Sequence, residues 1–278
     1  MGEVILDTLT DGLKLLPFLF VAFLIIEYFE HKITSKSLSL VQKSGKFGPF
    51  IGSLVGVIPQ CGFSVLATNL YVARIITLGT LIAVYLSTSD EMLPILIAEK
   101  ADISIILFIL LLKVCFGIIF GFIIDKIFFS KSEMNYGICE KEHCDCEHHF
   151  FKSALIHTLK TFFFVILITF VLNLVFYFLG DDFLKNMFSD FGFGSLFIMA
   201  LIGLIPNCAS SIAITELFLS GVIPLSAAIS GLLSSSGLAL LVLFKSNKNF
   251  KENIFIVSIL YLASLISGIL VYLFEVLV

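Results

Sequence analysis

Apolar residues run in long continuous stretches along this chain, and polar residues are concentrated in the short segments between them. The apolar stretches cover 13–29, 48–98, 103–129, 153–179, 191–244 and 253–278. A helix needs about 20 apolar residues to cross a bilayer, so four of these stretches predict one crossing each. Barrel strands would alternate apolar and polar positions, and these runs do not. The pattern therefore predicts an all-α, polytopic membrane protein.

The two longest stretches, 48–98 and 191–244, must each contain more than one helix. Lysine, which favours cytoplasmic loops in membrane proteins, clusters in 30–47, 126–152 and 245–252. With these segments in the cytoplasm, each long stretch begins and ends on opposite sides of the membrane and contains an odd number of crossings. Three crossings in each would give ten helices, whereas one crossing plus a re-entrant hairpin would give fewer. We therefore expect about 8–10 transmembrane helices.

The same two stretches resemble each other at a constant offset of 147 residues. The sequence GVIPQC at 56–61 aligns with GLIPNC at 203–208, and STS at 87–89 aligns with SSS at 234–236. Because an odd number of crossings gives the halves opposite orientations, the pattern predicts two inverted repeats. We place them at 1–130 and 153–278, joined by a cytoplasmic linker at 131–152. Inverted repeats with paired broken helices are typical of secondary transporters.

Each half contains a proline inside an apolar stretch, Pro59 in the first and Pro206 in the second. Proline removes a backbone hydrogen bond and breaks the helix, and free backbone groups at membrane depth occur only where protein or a water-filled cavity satisfies them. Polar residues beside the breaks are therefore candidates for substrate binding. The alternative is that they are small positions at which helices pack. The candidates are Gln60, Cys61, Ser64, Ser87, Thr88, Ser89, Asn207, Cys208, Ser210 and Ser211.

Three carboxylates interrupt the apolar stretches, and we expect them to couple transport to protons or another ion. Asp90 and Glu91 follow the first Ser-Thr-Ser, and Glu216 lies one turn beyond the second break. Charged groups at membrane depth are costly and are functional by default. The alternative for Asp90 and Glu91 is a hydrated extracellular loop at 86–92. Lys113, inside an apolar stretch, would either neutralise one of these acids or extend its ammonium group to the membrane surface.

The linker between the halves is rich in cysteine and histidine. Thiolate and imidazole are the ligands that zinc, copper and nickel prefer. The spacing matches no structural zinc motif, so we expect a flexible segment that collects or senses metal; the alternative is a solvated linker of accidental composition. The candidate metal ligands are Cys139, His143, Cys144, Cys146, His148 and His149.

These motifs resemble the ten-transmembrane heavy-metal exporter family, whose members are also labelled arsenic efflux or manganese transporter proteins and are related to ArsP-type permeases. The resemblance covers essentially the whole chain. The residues that carry it are GVIPQCGFS at 56–64, STSDE at 87–91, IPNCASS at 205–211 and the cysteine–histidine linker. It implies export of a toxic metal or metalloid across the cytoplasmic membrane. Thiols at Cys61 and Cys208 would suit an arsenical, whereas acids at Asp90 and Glu216 would suit a divalent cation.

Composition narrows the function classes further. The chain is 59% apolar and 14% charged, against about 45–50% and roughly 25% in soluble domains, so it contains no large soluble domain. No phosphate-binding P-loop is present in the sequence. Our leading hypothesis is therefore a secondary-active permease that exports an ion of the Mn, Co, Ni or Zn type, or an arsenical, from the cytoplasm.

Two other hypotheses stay open. One is a permease for an uncharged or anionic small solute, with the linker acting as a metal sensor. The other is an intramembrane enzyme, which the absence of a histidine base inside the apolar stretches disfavours. We expect no permanently bound cofactor and no nucleic-acid partner. We expect a multi-pass location in the inner membrane of a prokaryote, with the lipid bilayer as surroundings, and homo-oligomerisation is compatible with the sequence.

Overall fold

The structure is a computed structural model that describes residues 47–59, 61–89, 91–128 and 192–277, with scattered positions in 16–24 and 155–170. Ten α-helices lie in the four continuous ranges, and no strand occurs there. A short 3₁₀ turn, Gly192–Gly194, precedes the sixth helix. The helices are α1 (Gly48–Gly56), α2 (Cys61–Val72), α3 (Leu78–Ser87), α4 (Met92–Ala98), α5 (Ile103–Ile127), α6 (Ser195–Gly203), α7 (Cys208–Leu219), α8 (Leu225–Ser234), α9 (Ala239–Ser246) and α10 (Phe250–Leu277).

The helix bounds repeat with the same offset as the sequence. Adding 147 to the residue numbers of α1, α2 and α3 gives the bounds of α6, α7 and α8, and α4 and α5 begin at the equivalents of α9 and α10. The turn after the second helix of each half also matches, because Arg74 and Gly221, which are 147 apart, both have positive φ, at 60° and 72°. The described parts of the two halves therefore contain the same five helices in the same order.

Lipid requires these segments to be helical, because no water is available there to bond free backbone groups. Helix α5 has 25 residues, mostly isoleucine, leucine and phenylalanine, and a helix of that length extends about 37 Å, more than the hydrocarbon core of a bilayer. Large apolar side chains of α5 are exposed on one side, among them Leu107 and Leu111. Helix α10 exposes Leu262 and Leu273 in the same way. These exposed faces suit contact with lipid.

Glycines bring α1 close to α3. A Cβ atom added at Gly48 would meet Thr80, and one added at Gly56 would meet the Ser87 hydroxyl at 2.1 Å. The two helices therefore begin at the same level, end at the same level and run in the same direction. Helix α2 follows α1 and leads, through the turn at 73–77, back to the level at which α3 begins. Helices α1 and α2 thus form a hairpin whose two outer ends lie on one face.

The second half is packed in the same way. The Ser230 hydroxyl of α8 donates to the Leu196 carbonyl of α6 at 3.0 Å. A Cβ atom added at Gly203, where α6 ends, would meet Gly231 and Ser234 near the end of α8. The halves meet at the centre, where α3 contacts α8, α2 contacts α9 and α7 contacts α4. Side chains of α3 and α8 are almost completely buried, so these two helices form the core.

Among the described residues, four segments are long and apolar enough to cross a membrane: Leu78–Ala98, Ile103–Ile127, Leu225–Ser246 and Phe250–Leu277. Two shorter apolar helices, Gly62–Val72 and Cys208–Leu219, accompany them. The predicted all-α, polytopic fold is therefore confirmed. The predicted linker at 131–152 lies outside the described residues, so the boundaries of the two repeats stay a prediction.

Candidate functional site

The breaks of the two halves meet at one place in the interior. In the first half, the Ser89 hydroxyl, just after α3, donates to the Val57 carbonyl, just after α1. The Ser64 hydroxyl, in the first turn of α2, donates to the carbonyl of Ser236 at 3.4 Å. Ser236 lies between α8 and α9, in the break of the second half. All of these serine side chains are buried, so the packing creates a polar region where the helices are interrupted.

The hydroxyls of the first half donate their protons to backbone carbonyls. Ser87 donates to the carbonyls of Ala83 and Val84 at 2.8 and 3.1 Å, and Thr88 donates to Val84 at 2.7 Å. The Val84 carbonyl also accepts from the backbone amide of Thr88 at 2.9 Å, so these side-chain bonds add to the backbone bonds of α3. A hydroxyl whose proton is committed in this way has only oxygen lone pairs left to offer. This side of the site therefore presents acceptors.

The second half places its candidates around the start of α7. Asn207 is the N-cap, and its side chain accepts a hydrogen bond from the amide of Ala209 at 3.3 Å. Ser210 donates to the Asn207 carbonyl at 2.8 Å, and Ser211 donates to the Cys208 carbonyl at 2.8 Å. Cys208 itself is 8% exposed. These hydroxyls, like those of the first half, have committed their protons.

Two further serines belong to the site, and they were not among the predicted residues. Ser235 and Ser236 are 3% and 1% exposed. Within the described ranges, neither hydroxyl has a hydrogen-bond partner. A buried polar group without a partner costs about 1–3 kcal/mol, so such groups call for a ligand or water. The sequence contained a signal for them, because they are the repeat equivalents of Thr88 and Ser89.

Lys113 is buried in the interior, at 1% exposed, although it lies in the middle of α5. Its ammonium group donates to the carbonyl of Leu232, in the last turn of α8, at 2.5 Å. A positive charge at the C-terminal end of a helix stabilises the helix dipole. Of the two alternatives for Lys113, extension to the membrane surface is wrong, because the ammonium group bonds inward across the two halves, near the break between α8 and α9.

The predicted coupling acids are in different surroundings. Glu91 is half-buried and directly precedes α4, in the break between α3 and α4. Glu216 is exposed on α7, and so the structure does not bring it to the breaks, whereas its repeat equivalent Asn69 is buried. Asp90 and Gln60 lie outside the described residues, as does the side chain of Cys61.

The cysteine–histidine segment with its six candidate ligands also lies outside the described residues. Within the part of the chain that the structure describes, no group of three or more His, Cys, Asp or Glu residues is arranged to hold a metal ion. The predicted metal ligands therefore stay a prediction. The polar site at the breaks is instead lined by serine and threonine hydroxyls, an asparagine and a cysteine.

One protein-family model matches the chain, over residues 1–183 and 130–274; its description reads "Putative, 10TM heavy-metal exporter". The chain belongs to this family. The predicted family membership is thus confirmed, and the apolar helices and the family agree that this is a multi-pass membrane protein. No curated protein and no solved structure matches the chain.

Proposed function

We propose that this member of the heavy-metal exporter family is a secondary-active permease that binds its substrate where the helix breaks meet and exports it from the cytoplasm. The substrate is a divalent cation of the Mn, Co, Ni or Zn type, or a metalloid such as an arsenical. The family supports export of a heavy metal. The observation that carries the location of the site is the convergence of the Ser64 hydroxyl on Ser236, across the two halves.

The chemistry of the site suits a cation or a hydroxylated metalloid. Hydroxyls of Ser87, Thr88, Ser210 and Ser211 donate to carbonyls and so offer only lone pairs. Oxygen lone pairs coordinate cations and accept hydrogen bonds from the hydroxyls of a metalloid acid. Cys208 adds a sulfur, which soft metals and trivalent arsenic prefer.

We propose that the halves are inverted. Helix α2 starts near Ser236 and ends near Glu252, so it runs in the same direction as the span Leu225–Ser246. Because α2 returns to the face from which α3 leaves, it runs opposite to the span Leu78–Ala98. The two broken spans therefore run in opposite directions, which supports inversion and alternating access around a central site.

The same contacts support a topology with two re-entrant hairpins, α1–α2 and α6–α7. The tip of the first hairpin, at Val57, is bonded to Ser89, which lies halfway along the span Leu78–Ala98. The hairpin therefore enters the membrane to mid-depth and returns. Each long apolar stretch then holds one full crossing plus a hairpin, the second of the two alternatives that the lysine pattern left open.

For coupling we propose Asp90, Glu91 and Glu216, and for metal capture the cysteine–histidine linker. Glu91 is the best supported of the three acids, because it is half-buried and lies beside a break. Glu216 is less well supported as a coupling acid, because it is exposed on α7. A cytoplasmic linker would raise the local concentration of metal at the entrance to the site.

A second candidate function is a permease for an uncharged or anionic solute. The observation that favours it is Lys113, whose ammonium group is buried near the break between α8 and α9. A positive charge in the interior would attract an anion and repel a free cation. The two candidates differ in the substrate that accumulates when the site is damaged.

Substrate export is tested by expressing the full chain in a bacterium that lacks its own metal exporters and measuring cell content of Mn, Co, Ni, Zn and arsenite. We expect one of these to fall on expression. Ser64→Ala should reduce the export rate about tenfold, the effect of losing roughly 1.4 kcal/mol of binding or positioning energy. Asp90→Asn, Cys208→Ser and a chain without 131–152 test the acid, the thiol and the linker.

The matched control is Ser258→Ala. Ser258 also donates to a backbone carbonyl, that of Ile254 at 2.9 Å, but it is exposed on α10 and its bond stays within that helix. It should export at the normal rate. If no ion or metalloid changes in cell content, the metal proposal fails. If Ser64→Ala and Ser258→Ala export equally well, the location of the site is wrong even if the substrate class stands.

A further inference from the structure

An ion pair joins the two halves at the face where α2 ends. Arg74, the only arginine in the sequence, donates from Nη1 and Nη2 to the two carboxylate oxygens of Glu252 at 2.7 and 2.9 Å. The Tyr71 hydroxyl donates to the same carboxylate at 2.5 Å. Tyr71 and Arg74 belong to the first half, and Glu252 lies in the first turn of α10 in the second half. We call these three residues the clamp.

Several features strengthen the ion pair between Arg74 and Glu252. A two-pronged contact between guanidinium and carboxylate is stronger and more directional than a single bond. The Arg74 guanidinium also lies over the ring of Tyr71, 5.2 Å from its centroid. Burial alone would raise the pKa of Glu252, but the hydrogen bonds from Arg74 and Tyr71 hold it below its usual value, so the pair stays charged at neutral pH. The two charged side chains are only 30% and 16% exposed, so water screens the pair less than it would screen a surface pair.

Arg74 occupies a backbone conformation that glycine favours. Its φ is 60°, and the repeat equivalent, Gly221, has φ 72°. A residue with a Cβ atom is strained there. The first half therefore holds an arginine where the second half holds an unstrained glycine, and the clamp compensates for the strain.

Among the residues that the structure describes, the clamp has no counterpart in the repeat. The repeat equivalents of Tyr71, Arg74 and Glu252 are Phe218, Gly221 and Ile105. None of these three can form an ion pair. The opposite face therefore has no equivalent of this ion pair among the described residues. The repeat that relates the two halves is broken at the clamp.

Buried polar groups lead from the clamp to the breaks. Asn69, on α2 one turn inward, is 2% exposed, and within the described ranges its amide nitrogen has no partner. Thr68 contacts the Tyr85 hydroxyl at 2.7 Å. Ser64, one turn further, donates to the carbonyl of Ser236 in the break between α8 and α9. A line of polar side chains thus runs along α2 beneath the clamp, as expected of a closed path to the site.

We propose that the clamp is the closed gate on the lysine-rich face of the protein, the face that carries 245–252, and that Arg74 must separate from Glu252 before the central site opens to that side. The opposite face lacks these residues, so its opening does not depend on the clamp. The inference goes beyond the proposed function, because it holds for any transported species.

The test measures access to a single cysteine beneath the clamp. In the full chain with its six cysteines replaced by serine, Asn69→Cys places a thiol between the clamp and the breaks. A charged methanethiosulfonate reagent is applied to membrane vesicles of either orientation. With the clamp intact, labelling should be slow from both sides. Arg74→Ala and Glu252→Gln should each raise the labelling rate about tenfold, from the lysine-rich face only, which corresponds to a shift of about 1.4 kcal/mol in the gate equilibrium.

Two variants separate gating from general loss of structure. The double change Arg74→Glu with Glu252→Arg should restore slow labelling. Asp125→Asn is the matched control, because Asp125 lies on the same face but accepts from Thr77 and Gly79 within its own half at 2.7 and 2.8 Å. It should label slowly. The proposal is overturned if the single clamp variants stay slow, if Asp125→Asn labels as fast as they do, or if the faster labelling comes from the opposite face. Since labelling needs no transported ion, its failure leaves the proposed function untouched, and the reverse also holds.

Discussion

At the level of single residues, hydroxyl groups connect the interior of this protein. Tyr85 is completely buried, and its hydroxyl contacts Thr68 at 2.7 Å. Thr68 in turn donates to the Ser64 carbonyl at 2.7 Å. Because the single proton of Thr68 is used for that carbonyl, the Tyr85 hydroxyl must be the donor between the two side chains. The direction of this chain of hydrogen bonds can be tested by its energetics.

We expect Thr68→Val to destabilise the protein more than Tyr85→Phe. Valine leaves the buried Tyr85 hydroxyl without its acceptor, whereas the Ser64 carbonyl keeps its backbone hydrogen bond within α2. That should cost about 1–3 kcal/mol, whereas loss of the tyrosine proton should cost about 1 kcal/mol. At roughly 2–4 °C per kcal/mol, the melting temperature in detergent should fall by about 3–10 °C for Thr68→Val. The double variant should melt close to Thr68→Val, and a larger loss for Tyr85→Phe would reverse the donor assignment.

At the level of secondary-structure elements, glycines set the distance between the hairpins and the core helices. Gly56 and Gly203 are repeat equivalents, and each lies where the first hairpin arm ends. A Cβ atom at Gly56 would meet the Ser87 hydroxyl at 2.1 Å and the Val84 carbonyl at 2.8 Å, whereas one at Gly203 would meet both the Gly231 carbonyl and the Ser234 hydroxyl at 2.1 Å. The overlap at Gly203 is less easily relieved, because the Gly231 carbonyl belongs to the backbone and cannot rotate away.

Alanine at these two positions should therefore have unequal effects. Overpacking typically costs about 1–3 kcal/mol, and we place Gly203→Ala at the upper end and Gly56→Ala lower. Ser87→Ala should partly restore the melting temperature of Gly56→Ala, since it removes the nearest atom. Ser234→Ala should not rescue Gly203→Ala. Equal rescue in both halves would show that the backbone contact at Gly231 is not what limits the packing.

At the level of the whole molecule, the depth of the hairpins distinguishes the re-entrant topology that we propose from one with ten full crossings. The tip of the first hairpin lies beside the middle of the span Leu78–Ala98, because Val57 accepts from Ser89. If α1 and α2 crossed the membrane completely, the tip at 57–60 would instead lie at the outer surface. Residues 99–102, between α4 and α5, lie at that outer surface in either topology.

A cysteine at each position distinguishes the two topologies. In a chain without its native cysteines, Lys100→Cys should react with an impermeant maleimide added from outside. Ile58→Cys should stay at least about tenfold slower, because a thiol at membrane depth does not ionise to the reactive thiolate. Equal labelling of the two cysteines from outside would mean that α1 and α2 are full crossings. Mass spectrometry of the labelled protein measures both rates.

The helical membrane class and the repeat follow from sequence alone, for a local reason: lipid leaves an apolar segment no alternative to helix. The offset of 147 could be read from two short motifs, and the helix bounds repeat it. Ser87, Thr88 and Ser89 could likewise be identified from the sequence, because they are polar residues that interrupt the apolar stretch 48–98.

What depended on tertiary structure are the contacts between residues far apart in the chain. Whether 48–72 spans the membrane or turns back within it was left open by the lysine pattern, which counts only odd and even crossings. The inward direction of Lys113, and the pairing of Arg74 with Glu252, depend on which helices of the two halves pack together. Periodicity and composition describe one segment at a time, and a bond across 178 residues exists only once the packing has brought both of its ends to the same face.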